Sequence, residues 1–494
     1  MIMKFFVKFF PEIIVKSSSV RIHFTKVLFK NIQNILKYYN QSVSIIRCWD
    51  HIEIEFYNNY CDDYKRLVYL LSRIPGIHSI LVVKEEYWEN INDIYTKTLN
   101  MYCDILIGKT FCVRVKRRGK HDFTSQDLEK YIGYNLSKNI ERACVNLTNP
   151  EHIVFLEVHN DKVFFIIDKI KGLNGFPIGT QQNVLSLISG GFDSAVSSYM
   201  LIKRGCRVHY CFFNLIKDEN EYFVRKISYH LWNNFGISHV VRFISIDFCS
   251  IINEILLKIR ESQIGIILKR MMIRAASKIA HQYNISALST GEVLGQVSSQ
   301  TLTNLHIIDQ VSDLFIFRPL IAFNKDNIID VARSIGTEKF SNNVPEYCGL
   351  FSKRSTVHAI ESHILNEENK FDYLCFIDEA VKKAKVLDIR YVIKNLESFS
   401  KKDIVEVTNV LQNNDVILDI RSLNHKKKNL LSLVIKNHKI TVKILPFYNL
   451  DSQFGKLDQS KWYLLYCDNG VMSRIQARFL YKKGFRNIKI YRPL

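Results

Sequence analysis

The apolar positions of this chain change period as the sequence proceeds, and each change marks an element. Lys4–Phe9 reads as a strand, and Val20, Phe24, Val27, Leu28, Ile32, Ile35 and Leu36 make one face of a helix. Ser42–Trp49 and His51–Tyr57 alternate as the arms of a hairpin turning near Asp50. Leu67, Leu70 and Leu71 predict a second helix, which Pro75-Gly76 ends, so residues 1–75 run β-α-β-β-α. Phe111-Cys112-Val113-Arg114-Val115 alternates as a strand, and another alternating strand follows Leu147-Thr148-Asn149-Pro150. Gly172–Thr180 is a glycine-rich connector into an apolar run, Val184–Ile188, of the kind buried in a sheet. Beyond it, Ala195, Val196, Tyr199 and Met200 recur at helical spacing. Val208–Phe213, Tyr222–Trp232, Val240–Ile246, a long helix opened by Ile267–Met272, and Ala287–Ser289 continue the alternation. That βαβα rhythm predicts a doubly wound parallel sheet with helices on both faces. Residues 351–406 read as a charged helical connector. Asp415–Arg421 and Tyr463–Tyr466 then predict strands, the second leading into a helix through Lys483.

The chain is organised around Ser189-Gly190-Gly191-Phe192-Asp193-Ser194, the turn between the apolar run and its helix. Its glycines let consecutive N–H groups face one concavity, and the helix aims its positive end there. Such a nest suits phosphate; Ser189 and Ser194 add hydroxyls, and Asp193 suits Mg2+ bridging phosphates. The hexapeptide resembles the PP-loop of ATP pyrophosphatases, although an ordinary glycine turn would read similarly. Gly108-Lys109-Thr110 is rejected as a nucleotide loop because Cys103 replaces the first glycine and a strand pattern follows.

Composition narrows the class. At 494 residues, 47% hydrophobic and 23% charged, the chain suits roughly three globular domains. No apolar run reaches the roughly 18 residues of a membrane span, and Met1–Phe10 carries lysines, reading as a first strand and not a signal peptide. Eleven scattered cysteines without a C-x-x-C pair fit reduced thiols and a cytoplasmic chain. The formal charge of +20 suits a polyanionic partner, but codon drift toward Lys, Ile and Asn would raise it too. Lys109, Arg114, Lys116, Arg117, Arg118 and Lys120 form a basic run without an acid, open to phosphate backbones or to plain solvation. Cys206, His209 and Cys211 share an apolar strand whose alternation sends neighbours to opposite faces, which disfavours a metal site. Cys467, at a strand end and followed by Asp468–Arg474, sits where loop amides and a helix start would hold a thiolate or persulfide, with Arg474 adding charge. The C-x6-R spacing also describes a cysteine phosphatase or a structural cysteine, but the preceding V-I-L-D-I-R strand favours a rhodanese-like unit.

In combination, K-R-R-G-K-H-D-F, L-I-S-G-G-F-D-S, P-E-Y-C-G and C-x-x-G-V-M-S-R closely resemble the bacterial tRNA 4-thiouridine synthase (tRNA sulfurtransferase) family across essentially the whole chain. The resemblance implies an α/β multidomain protein. It divides into an N-terminal ferredoxin-like domain (1–75), a THUMP RNA-binding domain (63–170), a PP-loop adenylation domain (171–350), the connector (351–406) and a rhodanese domain (407–494). It implies ATP contacts at Leu187, Ile188, Ser189, Gly190, Gly191, Asp193, Ser194, Lys269, Gly291 and Gln300, with Mg2+ at Asp193. It implies tRNA at the basic run and a disulfide between Cys348 and Cys467 during turnover; on spacing alone Cys348 would be a structural cysteine. The implied activity is adenylation of uridine 8 and replacement of its O4 by persulfide sulfur. The implied partners are a cysteine desulfurase and the sulfur-carrier protein of thiamine synthesis; a homodimer is compatible with the sequence.

Overall fold

The computed structural model describes residues 2–38, 43–57, 61–215, 219–341, 356–394, 406–412, 415–421, 441–467 and 471–492. Two compact units emerge: residues 1–181 with 203–205 and 234–239, and the rest of the chain.

The first unit is built on one eight-stranded sheet in the order 43–47, 51–57, 2–9, 77–87, 162–171, 152–159, 110–118, 144–145. The strand Ile77–Tyr87 pairs antiparallel with both Ile2–Phe9 and Lys162–Lys171, so the two α/β regions read separately in the sequence share a sheet. The helices Ser18–Tyr38 and Cys61–Ser72 bury Leu28, Ile32, Leu36, Leu67 and Leu71 against Phe5, Val7, Ile52 and Ile54. Val20 is 37% exposed, so the apolar face of the first helix starts one turn later than its pattern suggests. A second core joins the helices Ile91–Leu106 and Ser125–Asn139 to Phe111, Val113, Leu156 and Phe165. A capping box of Thr124 and Asp127 fixes the start of the latter helix. Gly108-Lys109-Thr110 runs from a helix into a strand, the reverse of a phosphate-loop order, in keeping with its rejection.

An ion network pins the hairpin to the first strand. His51 is buried between Asp50 and Glu53, its Nδ1 2.7 Å from Asp50 and its Nε2 3.2 Å from Glu53. His51 and Lys4 together hold the Glu53 carboxyl down at about 2, while burial and Glu53 push the Cys48 thiol up to about 11. Despite its burial, His51 is raised by the same carboxylates. Cys48, His51 and Glu53 stand close enough to share a cation, but both ring nitrogens already serve carboxylates and the thiol keeps its proton. The Lys4–Glu53 and Lys8–Asp50 pairs tie the hairpin to the first strand.

In the second unit a six-stranded sheet runs in the order 315–317, 287–289, 183–187, 207–214, 242–247, 385–388. The first five strands are parallel, as the alternating pattern predicts, and the last is antiparallel. That sixth strand, Lys385–Asp388, comes from the stretch read as connector. It is short, charged and partly exposed, as edge strands are, and so carries no apolar signature. The helices Glu361–Glu368 and Tyr373–Lys382 likewise belong to this layer. Buried Glu368 accepts from Arg270 at 2.7 Å and from Arg274 at 2.8 Å on the helix Ile264–Gln282. His209 is buried and its Nδ1 accepts the N–H of Arg242 at 3.0 Å, a structural bond for a ring that burial drives down to about 3.

A third sheet of five parallel strands follows, in the order 407–408, 488–491, 463–466, 416–419, 441–444. Leu418, Ile420, Leu450, Phe454, Tyr463, Leu465 and Leu480 form its core. Lys426–Lys428 lies outside the described residues.

Candidate functional site

Parallel register decides what meets at the carboxyl edge of the six-stranded sheet. Ser186 pairs with Ser289, and Ser289 with Phe317, so three strands end side by side. Their continuations are Ile188–Ser194, Thr290-Gly291-Glu292 and Arg318. Ligands of such sheets sit at this edge.

The turn is tied from within by Ser194, whose Oγ accepts the N–H of Ser189 at 3.1 Å and lies 3.3 Å from the Gly191 carbonyl. Gly190 takes a left-handed φ of +87°, which a side chain would strain. The N–H groups of Gly190 and Gly191 make no hydrogen bond among the described residues. Beneath the turn, the buried face of the helix Phe192–Lys203 includes serines as well as Ala195, Val196, Leu201 and Ile202. Tyr199 and Met200 are only half-buried, whereas Ser194, Ser197 and Ser198 are buried. Ser197 donates to the Thr290 carbonyl at 3.0 Å, and Ser198 lies 2.7 Å from Ser186, so hydroxyls lock this helix to both neighbouring strands.

Gly291 packs directly on the turn: a Cβ there would lie 2.6 Å from the Asp193 carbonyl carbon and the Ser194 nitrogen. Asp193 is held by Lys325 at 2.7 Å and by the Gln296 amide at 3.0 Å. Sequence reasoning missed Lys325, which opens the helix Lys325–Ser334; its only signal was a cation at a helix start beyond the last strand of the edge. Lys269 reaches Glu292 at 2.7 Å. Ile188 continues its strand through an N–H bond to the Cys211 carbonyl at 2.9 Å, and Leu187 is half-buried. The side-chain oxygen of Gln300 is buried without a hydrogen-bond partner among the described residues. The edge thus offers what an anionic, donor-bearing ligand needs: spare amides, two lysines and an orphaned acceptor. These residues fit ATP.

At the third sheet, Cys467 is buried at the end of the strand Tyr463–Tyr466. Its sulfur accepts the N–H of Ser473 at 3.2 Å, from the start of the helix Val471–Lys482, and lies 3.4 Å from the Ser473 hydroxyl. On the adjacent strand end, Asp419 pairs with Arg421 at 2.7 Å, and the guanidinium covers the Tyr466 ring. Arg474 lies half-buried in the helix's first turn. Cys348 and Asp468–Gly470 fall outside the described residues, so the expected cysteine pairing gains no geometry here.

The basic run divides. Lys109, Arg114, Lys116, Arg118 and Lys120 are exposed, but Arg118 is paired with Asp50, and half-buried Arg117 contacts His121 at 3.1 Å and covers Phe123.

Residues 4–80 match the ThiI ferredoxin-like domain model, 89–168 the THUMP domain model, and 179–373 the ThiI thiamine biosynthesis protein model. A tRNA sulfurtransferase of Sodalis glossinidius (strain morsitans) is 54% identical over 99% of this chain and all of its own length. The chain belongs to the tRNA sulfurtransferase family. A member from Escherichia coli O1:K1 is 53% identical, again over 99% of this chain and all of its own. A crystal structure of a 4-thiouridine synthetase–RNA complex with bound ATP matches at 25% identity and a TM-score of 0.68, covering 78% of this chain and 100% of that one. Membership accounts for the ferredoxin-like, THUMP and PP-loop architecture at once. Among the described residues, no helix is long and apolar enough to cross a membrane.

Proposed function

We propose that this chain uses ATP to replace O4 of uridine 8 in tRNA with sulfur, giving 4-thiouridine. The observation that carries the reading is the carboxyl edge at Ser189–Ser194, where spare backbone amides adjoin Asp193 with its Lys325 partner and Gly291 packs on the turn, next to the Glu292 that holds Lys269. A uracil carbonyl is a poor electrophile; adenylating its oxygen, with release of pyrophosphate, makes that oxygen leave as AMP. Gly190 and Gly191 present amides to phosphate oxygens, and Leu187, Ile188, Lys269, Gly291 and Gln300 line the nucleotide. Asp193 suits Mg2+, which would take the place of Lys325 on the carboxylate and screen phosphate charge.

Cys467 carries the sulfur. A persulfide there, loaded by a cysteine desulfurase, attacks the activated carbon and expels AMP, leaving a disulfide between Cys467 and the base. The Cys348 thiolate then attacks the Cys467 sulfur, releases 4-thiouridine and forms the Cys348–Cys467 disulfide, which a thiol reductant reopens. The amide of Ser473 is already aimed at the sulfur, and Arg474 follows it in the first turn of the same helix, where its charge favours the anionic persulfide. We assign the third sheet to a rhodanese domain (407–494), preceded by the ferredoxin-like (1–75), THUMP (63–170) and PP-loop (171–350) domains and the connector (351–406). RNA meets the exposed cations Lys109, Arg114, Lys116 and Lys120, with Arg118 after it leaves Asp50 and with half-buried Arg117 beside it. The same persulfide supplies a sulfur-carrier protein for thiamine thiazole. The reading predicts pyrophosphate release from ATP that depends on tRNA. Release with no RNA requirement, or none at all, would contradict it.

A further inference from the structure

Glu292 is not among the residues assigned to ATP above, yet it is the centre of the most enclosed charge cluster at the sheet edge. One carboxylate oxygen accepts from Lys269 at 2.7 Å. The other accepts from Arg318 Nε at 2.8 Å and from the Thr290 hydroxyl at 3.0 Å. Arg318 spends its two terminal nitrogens on Asp309, at 2.8 and 2.5 Å. Two cations thus face two carboxylates. Among the described residues the Lys269 ammonium has one partner, Glu292. An ammonium has three donors, so two stay available to a ligand.

Position gives the cluster its meaning. Glu292 follows Gly291, whose backbone is pressed onto Asp193 and Ser194. Arg318 begins where the strand Phe315–Phe317 ends, on the same edge. We propose that Glu292 is a positioning residue for ATP: it fixes the Lys269 ammonium beside the Ser189–Ser194 turn, while Arg318 and Asp309 hold Glu292 in place. Burial opposes ionisation of Glu292, but Lys269 and Arg318 outweigh it and keep its carboxyl down at about 2. The carboxylate therefore stays charged at any working pH, and the two remaining N–H groups of Lys269 can serve a phosphate while the bond to Glu292 is kept. Without Glu292, the four-carbon stem of Lys269 would have to be ordered by ATP itself, a cost paid on binding.

The inference rests on the ATP reading, and the test separates the two. Steady-state pyrophosphate release in the presence of tRNA gives kcat and the KM for ATP of the intact chain and of Glu292→Gln, Lys269→Met and the double variant. Glu292→Gln should raise the KM for ATP about three- to tenfold, the order expected for ordering one long side chain. Lys269→Met should raise it at least as far, and the double variant no further than Lys269→Met alone. An unchanged KM in Glu292→Gln, or a double variant equal to the product of the singles, would overturn the proposal. If Glu292→Gln does not fold, Glu292→Asp decides, because it keeps a carboxylate for Arg318 but falls one methylene short of Lys269. A raised KM there supports the proposal and an unaltered one overturns it. No pyrophosphate release from the unaltered chain would overturn the ATP reading itself, and this inference with it.

Discussion

Replacing Gly291 with alanine would put a methyl group where the backbone of the phosphate turn already stands. The new carbon would lie 2.6 Å from the Asp193 carbonyl carbon and the Ser194 nitrogen and 2.9 Å from the Asp193 oxygen, about 0.5–0.8 Å inside the 3.4 Å at which ordinary contact begins. All three neighbours are backbone atoms, so no rotamer can relieve the overlap. The two strand ends must part, and the amides of the turn must move with them. Overpacking of this kind costs about 1–3 kcal/mol. If it falls wholly on the bound geometry of ATP, affinity drops roughly 5- to 160-fold. The assay is tRNA-dependent pyrophosphate release, with a thermal melt alongside. Gly133→Ala is the control: its new methyl would meet only Val113 and Val145 side chains, at 3.8 and 3.9 Å, within the helix Ser125–Asn139. That variant should be neutral or more stable, since alanine favours a helix interior over glycine by up to about 1 kcal/mol. Gly291→Ala with an unaltered KM for ATP would refute the claim that the turn needs this close approach.

Asp193→Ala should abolish pyrophosphate release while RNA binding persists, and full thiolation by this variant would contradict the PP-loop assignment. Replacing Lys116, Arg117 and Arg118 with alanine should lower the salt dependence of RNA binding by roughly 0.7–0.9 for each phosphate no longer neutralised, with ATP affinity unchanged. Arg118→Ala alone should contribute least, because that guanidinium is already paired with Asp50. For pH, Glu53 titrates at about 2 in the fold against an ordinary 4.5, so its stabilisation is complete above 4.5 and is lost as pH falls toward 2. His51 is raised, so its share is complete below 6.5 and fades as pH rises through the shifted value. Hydrogen exchange of the strand His51–Tyr57 should therefore be slowest, after correction for intrinsic rates, between about 4.5 and 6.5. Glu53→Gln should flatten the acid side, and an unchanged profile would rule out the network as the source of the pH dependence.

The sequence revealed elements wherever one period ran cleanly. Ala287–Ser289 and Tyr463–Tyr466 are observed with the bounds their apolar residues suggest, and the parallel order follows from the βα alternation. Lys385–Asp388 was hidden because an edge strand need not be apolar, and its partners lie far away in sequence. The single eight-stranded sheet was hidden for a related reason: Ile77–Tyr87 belongs to neither local pattern but pairs on both sides. At the site, Ser189–Ser194 was legible because a nest needs consecutive small residues. Lys325 was not, because a cation at a helix start is a weak signal until the fold brings it 2.7 Å from Asp193. The basic run shows the opposite limit, since the six cations between Lys109 and Lys120 look equivalent in sequence while Asp50 and His121 engage two of them.

If ATP activates the base and Cys467 delivers the sulfur, both requirements can be read from one product. Unmodified tRNA is incubated with the intact chain, ATP, Mg2+, a cysteine desulfurase with cysteine, and a thiol reductant, and its nucleosides are analysed. 4-Thiouridine should appear at position 8 in the complete mixture, and none should form when ATP is withheld or when Cys467→Ser replaces the intact chain. 4-Thiouridine formed without ATP, or formed at the normal rate by Cys467→Ser, would contradict this mechanism.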